Sequence, residues 1–224
     1  EGEDGMPWPM NDGKYPTGRS LTIKEGVTRS LNTVSVQVLN ALTPQASYDF
    51  LTNQLDIKLV GSRTNEDGTV QSDIALAPLA LGALTDGVTV REMAGGYSTF
   101  INDGVFGGTR TYTKVLDNEG NTVLENTPHT DKGFTNVHTV YDMLDCLQNV
   151  TAHGTAYGIQ IDGVETAGKT GTTSSNTDIW FCGVTPEYSA AVWVGYEHNY
   201  RLDGLYGRNA AEIWLKVMEK VHAG

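Results

Sequence analysis

The sequence has few basic side chains, little cysteine or histidine, and no long apolar run. Lys and Arg number 15 against 27 Asp and Glu, a formal net charge of -12, and no basic cluster offsets it. Such a chain offers no electrostatic footprint for nucleic acid or for an anionic membrane surface. Its two cysteines, Cys146 and Cys182, lie far apart in apolar segments, and nothing resembles C-x-x-C. The five histidines are scattered. Neither pattern supplies a zinc site, and both cysteines read as small buried hydrophobes. No stretch is long and apolar enough to be a transmembrane helix. The opening "EGEDGMPWPMNDGKYP" lacks the basic-then-apolar layout of a secretory leader and reads as a chain already under way. There is no internal repeat. What is present, 39% hydrophobic and 19% charged residues over 224 positions, fits one large globular domain or two small ones.

Helical signals dominate the first part. Thr22 is placed to cap a helix running to about Thr28, and "RSLN" interrupts it before a second helix from about Thr33 to Leu42, with Val34, Val38 and Leu42 on one face. Thr43-Pro44 starts a third, "PQASYDFLTNQL". Thr89 and Glu92 form a capping box ahead of "VREMAGGYSTFI". "TRTYTKVLD", "NEGN" and "TVLEN" alternate around a turn and predict a hairpin. "TNVHTVYDMLDCLQNV" returns to helical spacing, with Val140, Met143, Leu144 and Leu147 on its apolar face. Strands follow over Val164 to Thr172, Ile179 to Val184 and from Ser189. A closing helix, about Ala210 to Val221, is expected to turn Ile213, Trp214, Val217 and Val221 inward. The order predicts an α+β fold, an antiparallel sheet covered by helices.

Lys169 admits two readings. Gly163 to Thr170, "GVETAGKT", satisfies the G-x-x-x-x-G-K-[ST] spacing of a phosphate-binding loop. Such a loop needs glycines that let backbone N–H groups wrap an anion, and a helix starting at the lysine. Here the intervening residues include Glu165, and "TGTTSSNTDIWFCGV" is a poor helix and a good strand. The strands are joined by short loops rather than the long crossovers of a parallel sheet. The other reading is K-T-G-T, Lys169 to Thr172, on a strand.

The second reading has support along the chain. "AGKTGTT" followed by "DIWFCGVTPEYSAAVWVGYE" closely resembles the end of the transpeptidase domain of class A penicillin-binding proteins. "NDGKYPTGRSLTIKEGVTRSLNTVSVQVL" resembles that family's S-x-N segment, here Ser30, Leu31 and Asn32, although Ser174-Ser175-Asn176 has the same spacing. "LAPLALGALTDGVTVREMAGGYSTFINDGV" resembles its middle helix, "YTKVLDNEGNTVLEN" its hairpin, and "TVYDMLDCLQNVTAHGTA" the helix leading into the motif-bearing strand. The resemblance implies a penicillin-binding transpeptidase or serine β-lactamase-like fold, incomplete over 1–224. About 1–136 would be a mainly helical region with S-x-N and the hairpin, and about 137–224 a helix, the K-T-G-T strands and the closing helix.

The implied chemistry is acyl transfer by S-x-x-K, S-x-N and K-T-G working together. A lysine of depressed pKa deprotonates a serine that attacks a carbonyl. Ser30 would relay protons to the leaving group, and Asn32 would hydrogen-bond the substrate's backbone amide. Lys169 would add positive potential, and Thr170 and Thr172 would hold a terminal carboxylate. The Thr172 N–H would form half an oxyanion hole, and Gly171 would let substrate lie against the strand. No metal and no cofactor is implied. None of the chain's serines has lysine three residues on, so the nucleophile would lie upstream of Glu1. The implied partners are a D-Ala-D-Ala stem peptide or a β-lactam, and the missing upstream part of the same domain. The parent would be a membrane-anchored, extracytoplasmic peptidoglycan cross-linking enzyme with an upstream glycosyltransferase domain. Alternatives are a class B penicillin-binding protein, a β-lactamase relative, or a non-catalytic wall-peptide-binding module of the same fold.

Overall fold

The computed structural model describes residues 8–12 and 18–224, so much of the polar N-terminal stretch lies outside the described residues. Thr22 begins the first helix as expected. Its hydroxyl accepts from the Glu25 N–H, and the Glu25 carboxylate accepts from the Thr22 N–H, a reciprocal cap for α1 (Ile23–Thr28). Helices α2 (Asn32–Leu42) and α3 (Pro44–Gln54) follow, the latter capped by Thr43, which accepts from the Ala46 N–H. A two-residue ladder joins β1 (Arg63–Thr64) and β2 (Val70–Gln71). The single middle helix implied by resemblance is two: α4 (Leu76–Leu81) and α5 (Val90–Ser98). Gly82 ends α4 in the left-handed conformation, φ +79°, and the Thr89–Glu92 box starts α5 afresh. The hairpin forms as β3 (Lys114–Leu116) and β4 (Thr122–Glu125).

Helix α6 (Val137–His153) buries Val140 and Leu147 and half-buries Met143 and Leu144, the face that its spacing predicts. It leads to β5 (Ala167–Thr172), β6 (Asp178–Val184) and β7 (Ser189–Gly195), an antiparallel sheet in the order β5-β6-β7, closed by α7 (Gly207–Ala223). Alternation sends Ile179 and Phe181 toward α7 and Ala167 and Val184 toward α5 and α6. Phe181 meets Trp214 edge-on at 5.3 Å, and the Trp214 indole N–H donates to the Ala190 carbonyl at 3.1 Å. Each of these aromatic side chains, wholly buried, contributes about 1.5–3 kcal/mol of burial free energy.

Two predicted helix faces are corrected. In α7 Trp214 is 0% exposed, and Ala210, Ala211 and Met218 turn inward with it. Ile213, Val217 and Val221 are instead 45%, 52% and 41% exposed. They form a separate apolar row about a third of a turn away, since each residue advances roughly 100°. In α2 the buried residues are Val36 and Leu39, while Val38 and Leu42 are exposed. "TVSVQVLNAL" is apolar at so many positions that periodicity alone does not choose a face. Cys146 and Cys182 are both buried and unbonded, and burial pushes the Cys182 thiol up to about 12.

Candidate active site

Ser30 is positioned by the stop signal of α1. The Ser30 N–H donates to Val27 O at 3.1 Å and the Leu31 N–H to Gly26 O at 2.9 Å, the paired bonds of a left-handed helix terminus centred on Ser30, φ +53°. Glycine usually occupies that place, and a side chain there costs roughly 1–2 kcal/mol. Gly26 lets the two helices touch: an added Cβ would stand 2.5 Å from Val34 Cγ1. The chain therefore reverses within a few residues and holds Ser30 and Asn32 at the junction of α1 and α2.

Lys169 arrives from the sheet. Its ammonium donates to Ser30 Oγ at 2.8 Å and to the Thr170 carbonyl at 2.8 Å, joining residues 139 positions apart. Burial lowers its pKa from the ordinary 10.5 to about 8, because removing water penalises the charged form. At neutral pH it still carries its proton in most molecules. Ser30 itself is exposed, so the pair sits where solvent or a ligand reaches it.

Strand β5 is an edge of the sheet. The Thr173 N–H donates to Asp178 O across the hairpin, and antiparallel bonding alternates sides, so Thr172 and Thr170 turn their N–H and C=O to the free edge. The Thr170 carbonyl confirms the alternation by accepting from Lys169. The side chains of Thr170 and Thr172 share one face. Thr170 Oγ1 lies 2.7 Å from Thr155 Oγ1, and Thr172 Oγ1 accepts from the Gly207 N–H at 3.2 Å, at the start of α7. The positive end of that helix dipole thus faces the threonine pair. Gly171 lies between them; a Cβ there would stand 3.3 Å from Trp180 Cβ, so the glycine also keeps β5 close to β6. Thr155 was not singled out by spacing or motif. It reaches the site because the loop after α6 is held by its N–H donating to Thr28 O at 3.3 Å.

Asn32 opens α2 beside Ser30, and its Nδ2 donates to the Met10 carbonyl at 2.8 Å. The second S-x-N match serves another purpose. Asn176 sits in the β5–β6 turn, and its Nδ2 donates to the carbonyls of Leu202 and Leu205, pinning the loop between β7 and α7. Two clefts elsewhere, one lined by Leu55, Phe106 and His129 and one by Phe100, Tyr141 and Ala167, take in none of the six motif residues. The site is instead a set of polar groups converging along an edge strand.

Residues 4–219 match the penicillin binding protein transpeptidase domain family. Penicillin-binding protein 1A of Clostridium botulinum (strain Langeland) is 32% identical over 237 residues, covering 99% of this chain and 27% of that protein. The Clostridium acetobutylicum protein of the same name is 34% identical over 222 residues, covering 97% of this chain and 26% of its own length. The chain thus spans about a quarter of the curated relatives it matches. Penicillin-binding protein PonA1 from Mycobacterium tuberculosis superposes with a TM-score of 0.76 at 24% identity, over 96% of this chain and 60% of that one. Penicillin-binding protein A from the same organism, solved as an imipenem acyl-enzyme complex, gives 0.68 at 18% identity over 93% of this chain and 50% of that one. At those identities the likeness is one of fold. The family match runs from ahead of the Ser30 turn to well inside α7, through every element that builds the site, and the chain belongs to the penicillin binding protein transpeptidase domain family.

Proposed function

We propose that this chain is the S-x-N and K-T-G-T portion of a serine D,D-transpeptidase that cross-links peptidoglycan stem peptides, with the nucleophilic serine and its base lysine contributed by polypeptide outside these 224 residues. The observation that carries the reading is the 2.8 Å hydrogen bond from Lys169 to Ser30. The attacking serine would add to the carbonyl of the penultimate D-Ala and pass its proton to the base lysine. The oxyanion would receive the Thr172 N–H, which the edge of β5 leaves available. Collapse would expel the terminal D-Ala, its amine taking a proton through Ser30. An amine of a second stem would then displace the serine from the acyl group. Lys169, the α7 terminus and the hydroxyls of Thr170 and Thr172 favour a carboxylate at the end of the donor peptide. The same groups suit a β-lactam, and the imipenem adduct of the mycobacterial relative supports that reading. Peptidoglycan places the reaction outside the cytoplasmic membrane, with any anchor in the parent protein; no described helix here is long and apolar enough to cross a membrane.

A second reading follows from one sequence observation, that no serine here precedes lysine by three residues. A wall-peptide-binding module of this fold would keep the carboxylate-binding edge and lack acylation. Intact-mass spectrometry after incubation with a reactive penicillin separates the two. The isolated 224 residues should take no covalent adduct, because there is no nucleophile to acylate. With the upstream segment supplied, an adduct should appear on that segment and weaken on Lys169→Ala. An adduct on the isolated chain would refute the proposal, and none under any condition would favour the binding module.

A further inference from the structure

The S-x-N helix begins without a cap of its own. Its N-cap residue is Leu31, whose side chain offers no acceptor, so the first N–H groups of α2 need an outside partner. Asn11 supplies it. Its Oδ1 accepts from the Thr33 N–H at 3.1 Å and from the Thr33 hydroxyl at 3.1 Å. Asn11 is 5% exposed, a buried polar side chain brought to the helix from 22 positions away. Its own Nδ2 is buried with no hydrogen-bond partner among the described residues.

The neighbouring residue acts on the motif itself. The Met10 carbonyl accepts from Asn32 Nδ2 at 2.8 Å. A carbonyl can only accept, so it must face the NH2 end of the Asn32 carboxamide and never its oxygen. That contact fixes which way Asn32 is flipped. It leaves Asn32 Oδ1 and the second Nδ2 hydrogen as an oriented acceptor–donor pair. A peptide bond lying along a strand edge presents the matching pair, one N–H and one C=O.

We infer that the Met10–Asn11 strap is a positioning device for Asn32: Asn11 caps α2 from outside, and the Met10 carbonyl sets the polarity with which Asn32 meets a peptide or β-lactam amide. The inference rests on the transpeptidase reading for what Asn32 binds, and on geometry alone for what orients it. Neither Met10 nor Asn11 belongs to S-x-N or K-T-G-T.

The test uses the transpeptidase with its upstream S-x-x-K segment present, and reads acylation by a fluorescent penicillin together with the side-chain amide NMR signals of Asn32. Asn11→Ala should slow second-order acylation about tenfold, the value of one neutral hydrogen bond. Asn11→Asp, which keeps the capping oxygen and suits a helix N-terminus, should restore the rate to within about twofold. Combined with Asn32→Ala, Asn11→Ala should add nothing, since Asn11 works through Asn32. A purely structural residue would instead slow both backgrounds by the same factor, and that result would overturn the inference. The Asn32 amide pair should shift in Asn11→Ala and return in Asn11→Asp; an unmoved pair would also overturn it. Should Asn11→Ala unfold, Asn11→Gln displaces the same oxygen by one methylene and is read through the same signals. If wild-type protein takes no label at all, the transpeptidase reading has failed, and the amide signals alone decide the strap.

Discussion

Lys169 is carried by a paired strand whose two faces are covered by α7 on one side and α5 and α6 on the other. Ser30 sits in a turn between two short helices, exposed and in left-handed backbone. One partner of the 2.8 Å bond is therefore placed by long-range packing and ladder register, the other by a local arrangement of main-chain bonds. Packed cores tolerate little displacement, whereas a strained turn persists only while its neighbours hold it. The two sides should fail differently when perturbed.

The largest effect is expected on the sheet side. Trp214→Ala removes the buried indole that packs on Phe181 beneath β5 and β6, and should cost about 3–5 kcal/mol in chemical denaturation. A loss below that range would mean that α7 contributes less to placing β5 than its burial indicates. Next is the charge itself. In the folded chain the Lys169 ammonium releases its proton near pH 8, and in the unfolded chain near the ordinary 10.5. Between those values the unfolded state binds more protons, so stability should rise with pH. Lys169→Met should abolish that rise, seen as a difference between the two denaturation-versus-pH curves. Affinity for an anionic ligand should fall over the same interval as the positive charge is lost. Parallel curves for the two proteins would refute the depressed pKa. The smallest effect belongs to the turn. Ser30→Gly should stabilise the fold by about 1 kcal/mol through relief of the left-handed strain, while removing the hydroxyl that Lys169 binds. A destabilised Ser30→Gly would show that the Lys169 contact outweighs the strain.

What could be read in advance follows the same division. The Thr22 and Thr89 caps, the α6 face and the three strands were legible because their determinants are neighbours in sequence: an acceptor three residues from its donor, or an alternation along one segment. The meeting of Ser30 with Lys169 was legible only through family resemblance, since no spacing rule links positions 139 apart. Spacing does not fix the inward face of α7, because Ile213, Val217 and Val221 make as good an apolar row as the one led by Trp214, and only the sheet beneath selects between them. The left-handed backbone of Ser30 carried no signal, as serine is not the residue that marks such a turn. Thr155, Met10 and Asn11 were invisible for a related reason: each acts on a residue far along the chain through one hydrogen bond, and polar residues in loops are too common to flag.

The turn at position 30 also restricts the amino acids that could ever stand there. Its backbone prefers glycine or asparagine, and neither carries a hydroxyl for Lys169. Threonine has the hydroxyl but is β-branched, which left-handed backbone tolerates poorly. Alanine bears the same backbone strain as serine and offers no hydroxyl. Serine bears the strain of a single unbranched Cβ and supplies the hydroxyl that the lysine binds, so a Ser30→Thr exchange, conservative by composition, is not conservative here.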